Sequence, residues 1–118
     1  MNRSYVDGSW VEGKAALKNI NPSDLTDCIG EYESVDRSQT NKAIEVANHS
    51  TTAWQEMGIQ RRAEILDNIG NEILKRKHEL GTLLSREEGK VLPEGVGEVE
   101  RAGHVFKFFA GEAVRIAG

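Results

Sequence analysis

The sequence has one cysteine, two prolines and no surplus of positive charge. A lone Cys28 cannot close an intrachain disulfide, which fits a reducing cytosol and sets aside the disulfide-stapled secreted scaffolds. Two prolines in 118 residues set aside collagen and Pro-rich linkers. The 15 Lys and Arg residues stand against 19 Asp and Glu, a formal net charge of −4. A general nucleic-acid binder carries a basic excess instead. No apolar run approaches the roughly 18–20 residues of a membrane helix. The opening Met1-Asn2-Arg3-Ser4-Tyr5 lacks the apolar stretch of a signal peptide. In that setting Asn2-Arg3-Ser4 and Asn48-His49-Ser50 are chance matches to the glycosylation triplet. The expectation is a cytoplasmic protein without nucleic-acid or membrane partners.

What is present is enough for one domain of α+β class. Residues of the hydrophobic set make up 38% of the chain. The first third reads as strands. Tyr5-Val6 and Trp10-Val11 flank Asp7-Gly8-Ser9, and Asp-Gly is a strong hairpin signal. Ala16 to Ile20 reads as extended, Asn21-Pro22-Ser23-Asp24 as a turn, and Cys28 to Val35 as the next strand. The remainder reads as three to four helices. Asp36-Arg37-Ser38-Gln39 has the form of a capping box, with Ser38 as a rival cap. Ala43, Ile44, Ala47, Thr51 and Trp54 follow at spacings of three and four. Gly58 ends or separates that helix. The next runs from about Gln60, with Ile65, Leu66, Ile69, Ile73 and Leu74 on one face. Leu80, Leu83 and Leu84 follow, either after a break near Lys77 or in one long helix. Gly89 fits a C-terminal cap and Pro93 the first position of the last helix. That helix carries Val96, Val99, Ala102, Gly103, Phe106, Phe109, Ala110, Ala113 and Ala117 on a stripe, with Gly118 at its end. Strands are expected over about 5–35 and helices over about 36–118, in a single unit.

No cluster supports chemistry. Gly89-Lys90 has Leu84 and Val91 where a phosphate loop needs Gly and Ser or Thr. Gly95-Val96-Gly97 lacks the third glycine of a dinucleotide fingerprint and has no strand before it. Cys28 sits beside Asp27, whose charge opposes thiolate formation, so it reads as structural. His49, His78 and His104 have no helical ligand spacing among them. Glu87-Glu88 and the set Glu94, Glu98, Glu100 and Glu112 read as solvated acidic faces, and Lys75-Arg76-Lys77-His78 as a solvated basic one. Phe106 and Phe109 read as core, while Phe108 points elsewhere and calls for a neighbour.

The order of these pieces resembles one family. Tyr5-Val6-Asp7-Gly8-Ser9-Trp10-Val11 is similar to the opening strand of the NAD(P)-dependent aldehyde dehydrogenases, and Asn19-Ile20-Asn21-Pro22 to their Asn-Pro turn. Ile29-Gly30 through Val35 is similar to the strand that follows. Ala43 to Trp54 resembles their first helix, Gln60-Arg61-Arg62-Ala63-Glu64-Ile65-Leu66 their second helix start, and Leu83 to Lys90 their "LxxxETGKP" segment. Glu98-Val99 with Phe109-Ala110-Gly111 resembles the helix beyond it. Phe108-Phe109-Ala110-Gly111-Glu112-Ala113 looks most like the semialdehyde branch, α-ketoglutaric semialdehyde dehydrogenases included. The chain departs from the pattern at Glu88 and Val91, and Ser23-Asp24-Leu25-Thr26-Asp27 lacks the usual small Thr-Gly turn.

The resemblance implies the N-terminal part of an α/β enzyme. In the full-length relative an aldehyde adds to a Cys thiolate, hydride passes to NAD or NADP, and water releases the acid. The catalytic and nucleotide-binding segments lie after the matched part, so no catalytic or cofactor-binding residue is assigned, and no cofactor is expected for this chain by itself. A cation position maps loosely onto Ile20 and Glu87, with a third ligand missing. The implied partner is the remainder of a dehydrogenase chain, or a second copy through apolar helix faces. The other reading is a stand-alone helical interaction module or a self-associating remnant.

Overall fold

The structure is a computed structural model and describes residues 2–115. Strands β1 (Ser4–Val6) and β2 (Ser9–Val11) form an antiparallel hairpin, with Tyr5 opposite Trp10. Asp7 and Gly8 both take positive φ, 53° and 75°, as a two-residue turn between right-twisted strands requires. The Tyr5 and Trp10 rings meet edge to face at 5.0 Å. Strands β3 (Ala15–Ile20) and β4 (Cys28–Ser34) form a second antiparallel pair, irregular between Asn19 and Ile20. Asn2 adds an isolated parallel bridge to Tyr32, which the sequence did not signal.

Helix α1 (Arg37–Glu56) begins at the expected capping box. The Asp36 carboxylate accepts from the Gln39 amide at 2.8 Å, and the Gln39 side chain accepts from the Asp36 amide at 3.0 Å. Met57 and Gly58 separate it from α2 (Ile59–Lys75). Of the two readings around Lys77, the break holds: Arg76, at φ −99° and ψ 12°, stands between α2 and α3 (Lys77–Glu88). Its amide still donates to Glu72 and Ile73, so the junction is a kink. Gly89 ends α3 in the left-handed conformation, φ 71°.

Helix α4 (Leu92–Ala113) starts one residue earlier than expected, with Val91 as cap and Pro93 second. The Val91 carbonyl accepts from Glu94 and Gly95, and the second position needs no amide donor either. The expectations for Ala117 and Gly118 lie outside the described residues, and α4 ends at Ala113.

Helix α4 is the centre of the helical layer and packs along both α2 and α3. Glycines permit the close crossings. A Cβ on Gly103 would lie 2.7 Å from the Leu74 side chain, and one on Gly81 2.6 Å from the Val96 backbone. The buried residues of α4 are therefore Gly95, Gly103, Ala110 and Ala113. Phe109 was expected in the core but is 55% exposed beside Phe108 at 63%. The seam closes on small residues, and nothing among the described residues covers the flank where Phe109 stands. Helix α1 buries none of its residues, and Ile44 and Trp54 on its stripe are exposed. The molecule is a slab of 52 × 38 × 16 Å, little more than one helix thick.

Candidate functional site

The richest polar constellation lies where the β3–β4 turn meets the C-terminus of α3. Asn21 shapes the turn: its side-chain oxygen accepts from the Ser23 amide at 2.9 Å. Asp24 repeats the device, accepting from the Thr26 amide at 3.0 Å and the Thr26 hydroxyl at 2.7 Å. Two side-chain-stabilised turns thus follow one another between Asn21 and Asp27. They deliver Asp27 to Arg86, whose guanidinium donates to both carboxylate oxygens at 2.6 and 2.9 Å. Asn21 Nδ2 donates to the same carboxylate at 3.1 Å. The Arg86 and Asn21 hydrogen bonds hold the Asp27 carboxyl at about 2, below the ordinary 3.8. In turn the Asp27 carboxylate pushes the Arg86 guanidinium further up.

Two further contacts tie the same ends together. Ser23 Oγ donates to the Gly89 carbonyl at 2.7 Å, and Asn19 Nδ2 to Glu87 Oε1 at 2.6 Å. A Cβ on Gly89 would lie 2.5 Å from Ser23 Oγ and 2.9 Å from the Pro22 ring, so glycine is needed for contact as well as for φ. Lys90 continues the cluster into α4, pairing with Glu88 at 2.5 Å and Glu98 at 2.6 Å, which raises its pKa. Between these groups lies an open recess of about 220 Å³ lined by Asn21, Ser23, Ser85, Arg86 and Lys90.

The fold does bring Ile20 and Glu87 to this junction. Ile20 closes β3, half-buried, and Glu87 is exposed on α3. A hard cation such as Ca²⁺ takes about 6–8 oxygens. Glu87 already accepts from Asn19, and the described residues contain no group of three or more His, Cys, Asp or Glu suited to a metal. These residues therefore do not fit a resident cation by themselves.

The remaining candidates are dispersed. Cys28 is exposed at the start of β4 with its sulfur 3.8 Å from the Gly30 carbonyl. His49 lies against the Glu45 carbonyl of α1 at 2.8 Å. His78 and His104 come near one carboxylate, Glu100, whose pKa is lowered mainly by Lys77 at 2.7 Å. The adjacent Glu87 and Glu88 turn to different partners, Asn19 and Lys90. Lys77 and Arg76 serve as ion-pair partners of Glu100 and Glu79, more than the solvated face expected of them. No short-range spacing marks the Asp27–Arg86 pair, because 59 residues separate its members.

The order of elements, a two-residue hairpin, an Asn-Pro turn and a helix ended by Gly89-Lys90, can be compared with known proteins. The profile of the aldehyde dehydrogenase family matches residues 10–118. The chain belongs to the aldehyde dehydrogenase family. It is 29% identical over 117 residues to the α-ketoglutaric semialdehyde dehydrogenase of Bacillus subtilis (strain 168), covering 98% of this chain and 24% of that protein. Among solved structures it superposes with a TM-score of 0.91 on an NADP-dependent enzyme of Escherichia coli, 30% identical, over 98% of this chain and 24% of the other. A betaine aldehyde dehydrogenase of Staphylococcus aureus in complex with NAD+ gives 0.87 at 26% identity, over 94% and 23%. The chain thus spans about a quarter of the length of the relatives it matches, and it corresponds to an N-terminal segment of the family. Its α+β character is that of this segment. No helix among the described residues is long and apolar enough to cross a membrane.

Proposed function

We propose that this segment serves as a structural part of an enzyme that oxidises an aldehyde or semialdehyde to a carboxylate with NAD+ or NADP+, and that it is not catalytic alone. The observation that carries this reading is that the described residues form a single layer, with no second one against it. The chain exposes 8488 Å² at 13.1 kDa, where a folded monomer of that mass exposes about 6,400 Å². Its radius of gyration is 17.4 Å, against about 13.5 Å for a compact domain of this length. Domains bury their apolar faces between layers, and here Ile69, Phe109 and Trp54 are left open. The partner this face suits is the remainder of a dehydrogenase chain. The reacting thiol, the base and the nucleotide cradle belong to that remainder. The single Cys28 supports a reducing cytosol as the setting.

The test has two arms. The purified chain, given α-ketoglutaric or succinic semialdehyde with NAD+ or NADP+, forms no reduced nicotinamide. A chimera in which it replaces the corresponding quarter of the Bacillus subtilis relative oxidises the semialdehyde. Turnover by the chain alone, or a folded chimera without turnover, overturns the reading. The second reading, a helical module that binds another protein or itself, rests on the same open face, with Phe108 and Phe109 paired edge to face at 5.3 Å.

A further inference from the structure

The elements are joined as a ring rather than as a stack. Helices α2, α3 and α4 form one packed body. From it α1 runs out without packing along any other helix. At its C-terminal end Arg62 of α2 donates to the Trp54 and Gln55 carbonyls, at 3.3 and 3.1 Å. At its other end Gln39 Nε2 donates to the Glu12 carbonyl at 2.6 Å, just before β3. The β3–β4 hairpin then returns from the start of α1 to the end of α3. Its outer strand β3 contributes little to that return, since Ala15 through Lys18 are all exposed, whereas β4 is half-buried at Ile29, Gly30 and Tyr32 and touches α3. The polar ties gather at the turn end of the hairpin: Asp27 on Arg86 and Ser23 on Gly89 from the turn, and Asn19 on Glu87 from the last residues of β3.

We propose that the Asp27–Arg86 pair is the latch that closes this ring, so that breaking it lets the β3–β4 hairpin swing on α1 while α2–α4 stay folded. Arg86 is suited to the task. It is the tie with two parallel charged hydrogen bonds, and its partner carboxylate is braced by Asn21. The Ser23 and Asn19 ties are single hydrogen bonds at exposed positions and are weaker alone. The helical body does not depend on the latch, because its seams are the glycine crossings of α4 with α2 and α3. A hinged hairpin gives this segment a way to adjust to whatever covers the slab.

The experiment places spin labels at Leu17→Cys on β3 and Asn68→Cys on α2, both exposed positions, in a Cys28→Ser background. Double electron–electron resonance then reads the distance between hairpin and helical body. With the labelled chain diluted into an excess of unlabelled chain, so that contacts between copies add no distance, the latched chain is expected to give one narrow distance distribution. Arg86→Gln and Asp27→Asn are each expected to broaden it at least twofold, with the helical circular dichroism unchanged. Arg86→Lys, which keeps the charge but loses the paired geometry, is expected to broaden it less. The proposal is overturned if the distribution stays narrow in Arg86→Gln and Asp27→Asn. It is equally overturned if either variant loses its helices, because the latch is then part of the fold rather than a closure upon it.

Discussion

Asp27 shows how much one side chain can be given to do. Arg86 and Asn21 both favour its charged form, so its carboxyl sits at about 2 instead of 3.8. A folded pKa below the unfolded one means that the pair adds its full stability above about pH 4 and loses it as pH falls through about 2. A carboxyl-carbon NMR titration of the folded chain is expected to place the Asp27 midpoint near 2. In Arg86→Gln the midpoint returns toward the ordinary range. An unchanged midpoint there shows that Arg86 is not the cause. Asn21 was legible as a turn residue from its type alone. Its second role, donating to Asp27, depends on a turn geometry fixed jointly by Ser23, Asp24 and Thr26.

At the scale of elements, α4 sets the packing. A Cβ on Gly95 would press on the Ser85 hydroxyl and lie 2.6 Å from the Gly81 carbonyl, and backbone cannot step aside. Gly97 has nothing within 4 Å of such a Cβ. Overpacking at a tight crossing costs about 1–3 kcal/mol, and Gly→Ala in an open helix interior returns about 1 kcal/mol. Gly95→Ala is therefore expected to lower the thermal midpoint and Gly97→Ala to raise it, as calorimetry can check. Equal effects at both positions overturn the account of the crossing. The elements themselves were largely readable. Asp7-Gly8 and the Asp36–Gln39 box are local signals, satisfied within four residues by their own backbone. The stripe on α4 was readable as apolar but not as narrow. Periodicity shows that Phe106 and Phe109 share a side, yet not that the seam closes on Gly103 and Ala110 first.

At the scale of the whole molecule, the unfilled face decides behaviour in solution. Specific protein interfaces bury about 1,200–2,000 Å² in total, which the excess surface of this slab can readily supply. The isolated chain is expected to self-associate with rising concentration in sedimentation velocity. Phe109→Asp, on the open flank of α4, is expected to weaken that association by about tenfold or more, since a charge there must be desolvated on contact. A concentration-independent monomer overturns the expectation.

By itself the sequence determined the class of the elements and the turns between them, because these rest on short-range rules: φ at Gly89, caps at Asp36, spacing along the helices. It also carried the family's motif order over nearly its whole length. The tertiary structure alone decided which polar residues meet and which apolar ones stay open. Asp27 finds Arg86 across 59 residues only when two turns and a kinked helix have set both in place. Phe109 is left exposed because burial is a property of a pair of surfaces, and the described residues supply only one of them.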